Sequence, residues 1–154
     1  MSTIKSFTAK DVCTALGGIS RSRLHTWAQL PPFCERPTRE RSARRFTKAD
    51  LLTFAVLQTL EDMLGMRRRD IRSISAAIHH YVRAPRQTRM EEWIFIPQDE
   101  DDEEIVLLIQ GQNFASPGWV IDMARERERI DLYLGLTPSQ RELPLITDVK
   151  SGHQ

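Results

Sequence analysis

Residues 7–30, FTAKDVCTALGGISRSRLHTWAQL, predict two short helices joined by a tight turn. Asp11 follows Thr8 by three positions, which is the spacing of a capping box, so we expect the first helix to begin directly after Thr8. Its apolar positions recur with helical spacing. Gly17 and Gly18 should end this helix, because glycine tolerates the left-handed conformation that helix ends adopt.

The second helix, expected over residues 21–30, has one apolar and one polar face. Leu24 and Trp27 lie three positions apart and mark the side that packs in the core. Two short helices around a tight turn form a helix-turn-helix pattern, and the second helix is narrow enough to enter the major groove of DNA. Its polar side chains suit base edges and phosphates. The residues predicted to contact DNA from this helix are Arg21, Ser22, Arg23, His25 and Thr26.

An arginine-rich stretch follows at residues 31–45. Three prolines and five arginines there predict a loop or irregular hairpin instead of a core helix. Arginine is attracted to the negative potential of a phosphate backbone or a minor groove, so the loop is a candidate DNA contact. The alternative is a solvated surface loop. The arginines predicted to bind DNA from this segment are Arg39, Arg41, Arg44 and Arg45.

Two longer helices are expected next. Thr47 and Asp50 repeat the capping-box spacing and open the longest apolar-periodic helix of the chain, which we expect to form the scaffold of this region. A further helix is predicted over residues 68–81. Cations cluster at its start, where the helix dipole disfavours positive charge, and this favours contact with an anion such as phosphate. The candidates are Arg67, Arg68 and Arg69.

Charge is divided unevenly along the chain. Residues 1–90 contain seventeen Lys and Arg against seven Asp and Glu, whereas residues 91–154 contain five against fourteen. A basic half implies a polyanionic partner, because each neutralised phosphate releases condensed counterions. Nucleic acid is the leading candidate, and the alternative is that both kinds of charge only keep the chain in solution.

The acidic remainder predicts a small α+β element. Residues 93–96, 105–109 and 119–121 are rich in β-branched or aromatic side chains and predict strands. Six consecutive acids at 99–104 should form the tip of a hairpin between the first two strands. They are either a solvated connection or a phosphate mimic that competes with DNA for the basic half. Residues 122–134 predict a helix, with strand continuation as the alternative.

The basic half resembles the winged-helix DNA-binding domain of MerR-like transcriptional regulators over about residues 5–83. The motifs that carry this resemblance are Phe7-Thr8-Ala9-Lys10-Asp11-Val12, Gly18-Ile19-Ser20 with Leu24 and Trp27, Arg44-Arg45-Phe46-Thr47-Lys48-Ala49-Asp50-Leu51, and Leu64-Gly65-Met66 with Ile71. The resemblance implies a homodimer on a pseudo-palindromic DNA site, with the helix around Arg21 to Thr26 in the major groove and Arg44 of the wing on the backbone. The long carboxy-terminal helix through which these regulators form an antiparallel coiled coil is not evident after Pro85.

Together these patterns predict an α+β chain with two regions. Residues 1–84 would be a helical winged helix-turn-helix domain, and residues 85–154 an acidic hairpin and helix for dimerisation or partner binding. The two cysteines, Cys13 and Cys34, belong to no metal-binding pattern, and we find no catalytic motif. We therefore expect no enzyme activity, no cofactor and no metal. Without a signal peptide or an apolar run long enough to cross a bilayer, a cytoplasmic protein that does not contact membranes is expected.

Three functions remain open from the sequence. The preferred one is a sequence-specific, homodimeric transcriptional regulator that binds double-stranded DNA. The second is an excisionase-like architectural factor of a mobile element, which would bind tandem sites instead of paired half-sites. The third is a protein-interaction adaptor that does not bind DNA, whose arginines only keep it in solution.

Overall fold

In the computed structural model of this chain, the described residues form an α+β structure of five α-helices and one antiparallel sheet. The structure describes residues 6–36, 44–84, 91–98, 105–107 and 117–136. The predicted class is therefore confirmed. Within those residues, no helix has the length and apolar character needed to cross a membrane.

The helices lie where the sequence predicts them, within two or three residues at their ends. Both predicted capping boxes are present: the Asp11 carboxylate accepts from the Thr8 backbone N–H at 2.9 Å, and that of Asp50 accepts from the Thr47 N–H at 2.8 Å. A short 3-10 helix lies at Phe33–Glu35. The α-helices are α1 at Ala9–Ala15, α2 at Arg21–Ala28, α3 at Lys48–Asp62, α4 at Arg68–Arg83 and α5 at Met123–Tyr133.

The sheet has the order β2-β1-β3, with β1 in the centre. Its strands are β1 at Trp93–Pro97, β2 at Val106–Leu107 and β3 at Gly118–Asp122. Both neighbours run antiparallel to β1, so the predicted hairpin and third strand are confirmed. The acidic run at 99–104 lies outside the described residues.

Helix α3 is the centre of the core. Its side chains at Leu51, Phe54, Leu57 and Leu60 are fully buried, as expected for a scaffold helix. Helix α4 packs along one side of α3 and α5 along another. Other large, fully buried side chains include Leu16, Trp27, Phe33, Phe46, Ile71, Ile78, Ile94 and Ile96.

The acidic part packs directly on the basic part. Ile94, Ile121 and Ile130 belong to the same cluster of buried apolar side chains as α3. Polar contacts reinforce this packing: Lys48 of α3 forms a 2.8 Å ion pair with Asp131 of α5. The division into regions 1–84 and 85–154 stays a prediction about sequence and charge, since the described residues of both share one core.

Candidate nucleic-acid interface

Helix α2 is held on α3 by its apolar face. Trp27 is 1% exposed, and its ring stacks on Phe54 with 6.0 Å between centroids. The Trp27 Nε1–H also donates to the Glu61 carboxylate at 2.9 Å, so the indole is fixed at both its ring face and its polar edge. Trp27 is therefore a core residue, as the sequence predicts.

The opposite face of α2 is polar and open to solvent. Three of the predicted DNA contacts, Arg21, Ser22 and His25, are exposed there. Gln29, one turn beyond His25, extends the same face, and its amide nitrogen lies 3.5 Å from His25 Nε2. Thr26 is half-buried, and its hydroxyl donates to the Ser22 carbonyl at 3.0 Å.

Arg23 points the other way, toward the end of α3. Its guanidinium forms ion pairs with Glu61 at 2.9 Å and Asp62 at 2.6 Å and lies 4.7 Å from the centre of the Trp27 ring. The hydrogen bonds that Arg23 donates to Asp62 and Glu61 raise the pKa of its guanidinium despite its partial burial. This side chain fastens α2 to α3, so we leave it out of the proposed interface.

Three exposed cations lie on or close to α1. Hydrogen bonds from Thr8 lower the pKa of Asp11, and the nearby charges of Arg45 and Lys10 lower it further. Burial raises the pKa of the Cys13 thiol, which the charge of Arg21 partly offsets. Lys10 belongs to α1, Arg21 begins α2, which packs against α1, and Arg45 is near enough to the Asp11 carboxylate to affect its pKa; all three residues are exposed. We call this area, together with the outward face of α2, the α1–α2 surface.

A network of charged side chains around the buried Asp50 holds Arg36, the last residue described before positions 37–43 of the arginine-rich stretch. The sequence did not predict this network. Asp50 is fully buried and accepts two hydrogen bonds from Arg36, at 2.5 and 2.6 Å, and its Oδ1 lies 2.8 Å from His79 Nε2. Burial opposes ionisation of Asp50, but the hydrogen bonds from Arg36, His79 and Thr47 prevail and lower its pKa well below the usual range. The Asp50 carboxylate therefore stays ionised in the core.

Arg44, the first residue described after positions 37–43, is also held by contacts with the core. Its guanidinium donates to the Phe33 carbonyl and lies 5.8 Å from the centre of the Phe46 ring. Paired backbone hydrogen bonds of 2.7 and 2.8 Å then join Phe46 to Phe7. Arg44 therefore has a structural role, and we exclude it from the proposed interface as well. Arg39 and Arg41 lie outside the described residues.

The predicted cations at the start of α4 are all exposed. Arg67 is the N-cap residue of α4, and its side chain accepts no hydrogen bond. The first backbone N–H groups of this helix therefore have no side-chain cap. Arg69 lies 3.9 Å from Asp70, a weak surface contact, and no carboxylate among the described residues pairs with Arg67 or Arg68.

The described residues contain no cluster of three or more His, Cys, Asp or Glu side chains able to hold a metal ion. Cys13 and Cys34 are both free thiols. Comparison with known proteins finds no matching family model, no matching curated protein and no matching solved structure. The interface must therefore be argued from its own geometry.

Proposed function

We propose that this chain binds double-stranded DNA as a sequence-specific transcriptional regulator, with α2 as the helix that enters the major groove. One observation carries the proposal. Helix α2 is anchored by a buried tryptophan and by Arg23, while its outward face exposes Arg21, Ser22, His25 and Gln29. A rigid helix with a free polar face suits base recognition, because the readout depends on fixed geometry.

The surrounding charge supports the same function. Lys10 lies on α1 and Arg45 near Asp11 of the same helix, and neither forms a salt bridge with a carboxylate among the described residues. Unpaired cations next to a recognition helix can contact phosphates and set the register of the protein on the duplex. Arg67 to Arg69 provide further exposed charge. In this proposal Arg39 and Arg41 also contact the DNA backbone, and they lie between Arg36 and Arg44, whose side chains are held by the core.

A homodimer on paired half-sites is part of the proposal, as the resemblance to MerR-like regulators implies. Two copies related by a two-fold axis would present two α2 helices to a pseudo-palindromic site. Binding, and no chemical step, would be the mechanism.

The test is a salt titration of duplex binding by fluorescence anisotropy, with selection from a random duplex pool to identify the site. Phosphate contact predicts a steep loss of affinity as salt rises, and Arg45→Ala should make the slope shallower by about one. Arg21→Ala should cost about 1–3 kcal/mol and relax specificity if this side chain contacts a base.

Lys48→Ala is the matched control, because Lys48 is a nearby cation that Asp131 already neutralises. Its salt slope should equal that of the unmodified chain. Selected sites with inverted half-sites support the regulator, whereas tandem sites would favour the excisionase-like alternative. No duplex binding at about 50 mM salt would reject both and favour the adaptor.

A further inference from the structure

An apolar groove lies on the side of the molecule formed by α5, β3 and the end of α3. Its volume is about 700 Å³. Seven large apolar side chains are exposed among the described residues, and five of these seven line this one groove. Those five are Met63, Leu64, Trp93, Val120 and Leu132. Isolated exposed apolar residues need no explanation, but a contiguous group marks a surface that another molecule covers.

The sheet has an unpaired edge at the same place. Among the described residues β3 pairs only with β1, so its other side presents unpaired backbone N–H and C=O groups. Val120, in the middle of β3, is 45% exposed. An edge strand beside exposed apolar side chains is a template for association with another chain.

The charges around the groove indicate which molecule fits. Its charged lining contains three acids and two bases, namely Asp122, Arg125, Glu126, Glu128 and Arg129. Such a surface does not attract a polyanion, so nucleic acid is a poor occupant. A patch that carries both signs is complementary to itself, since a two-fold axis can bring Arg125 of one copy to Asp122 of the other.

We propose that a second copy of this chain covers this groove, in a two-fold dimer formed by the β3 and α5 faces. This inference rests on the proposed function for the role of the dimer, which is to pair two α2 helices. The dimer itself is defined by apolar burial and charge, and it can be measured without DNA.

The test is sedimentation equilibrium of the full chain in the absence of DNA. Leu132→Glu and Val120→Glu place a charge on the groove at exposed positions, where the fold of one copy tolerates it. Each should weaken dimerisation at least about tenfold. Leu136→Glu is the matched control, because Leu136 is 47% exposed but does not line the groove, and this variant should dimerise like the unmodified chain.

Circular dichroism should show that all three variants have the same secondary structure, whereas the melting temperature should depend on protein concentration only where the dimer forms. An unmodified chain that stays monomeric at every concentration, or groove variants that dimerise like Leu136→Glu, would overturn the proposal.

A DNA-binding measurement distinguishes the failure of the dimer from the failure of the proposed function. Loss of dimerisation should remove cooperative binding to paired half-sites while binding to one half-site stays. A chain that dimerises through the groove but binds no duplex rejects the regulator and leaves the dimer standing.

Discussion

Two buried carboxylates of this protein have opposite environments. Asp50 is surrounded by donors from Arg36, His79 and Thr47, which lower its pKa. Glu126 receives one hydrogen bond from Thr59, at 2.5 Å on Oε1, while its Oε2 is buried without a hydrogen-bond partner. Burial therefore raises the pKa of Glu126, and the charges of Arg129 and Arg125 only partly offset this. The first carboxylate stabilises the fold as an anion, whereas the second is ionised at a cost.

Asp50→Asn should lower the free energy of unfolding by about 2–3 kcal/mol at neutral pH, because Arg36, whose side chain is 35% exposed, loses the charge of its hydrogen-bond partner. Since the folded pKa of Asp50 is lowered, its contribution is fully present above the ordinary value of 3.8 and is lost as the pH falls toward the folded pKa. Urea unfolding across pH 3–7 measures this. The acid-side loss of stability should be smaller in the variant, and equal pH profiles would contradict the assignment.

Glu126→Gln should leave the stability at pH 7 unchanged or raise it by about 1 kcal/mol, because the neutral amide removes the cost of a buried charge and its oxygen can still accept from Thr59. A raised carboxyl pKa means that stability falls as the pH rises from the ordinary value of 4.5 through the folded pKa. That decline should vanish in the variant. Urea unfolding at pH 5 and pH 7 tests this, and a clear loss of stability at pH 7 would show that the ionised form is needed.

At the scale of elements, the turn between α1 and α2 sets the direction of the proposed recognition helix. Gly17 and Gly18 both have positive φ, 82° and 84°, and the Gly18 N–H donates to the Cys13 carbonyl at 2.9 Å. Ser20 then caps α2 by accepting from the Arg23 N–H at 3.1 Å. The side chain of Gln58 donates to the Leu16 carbonyl at 2.8 Å, which ties the end of α1 to α3.

Gly17→Ala should cost about 1–2 kcal/mol of stability, because an L side chain is disfavoured in the left-handed conformation. No heavy atom outside the local backbone lies within 4 Å of the added Cβ, so the cost is conformational and not steric. Gly17→Asn is the matched control, since asparagine tolerates this conformation better and should lose less. Urea unfolding of both variants gives the comparison, and equal losses would argue that bulk, instead of φ, limits the turn.

For the whole molecule, the acidic part acts as a support for the basic part. Arg129 of α5 donates to the Gln58 amide oxygen, and Gln58 in turn holds the end of α1. Arg127 pairs with Glu92 at 2.7 Å, and Glu92 accepts from the Tyr81 hydroxyl of α4 at 2.5 Å. Packing and polar contacts therefore connect the groove of the proposed dimer to α1 and α2 through α3.

Ile130→Ala should destabilise the whole chain by about 2–4 kcal/mol, because Ile130 is 1% exposed and belongs to the shared core. Hydrogen exchange should show faster opening of α3 and α2 as well as of α5. Leu136→Ala, at a position 47% exposed just beyond the same helix and outside the groove, should have little effect on stability. Faster exchange confined to α5 would mean that the two parts unfold separately.

The positions of the helices and strands follow from local sequence, because capping boxes, glycine stops and apolar periodicity act over three to ten neighbouring residues. The sequence also indicated the exposed face of α2, since Leu24 and Trp27 define the opposite side. Only the packing of the helices shows which arginines are available to contact DNA. Arg23 pairs with Asp62, which is 39 positions away in the sequence, and Arg36 pairs with Asp50, which is 14 positions away. Such partners come together only when helices pack, and local sequence carries no signal for them. The opposite charges of the two halves had suggested separate regions, but packing joins their described residues in one core.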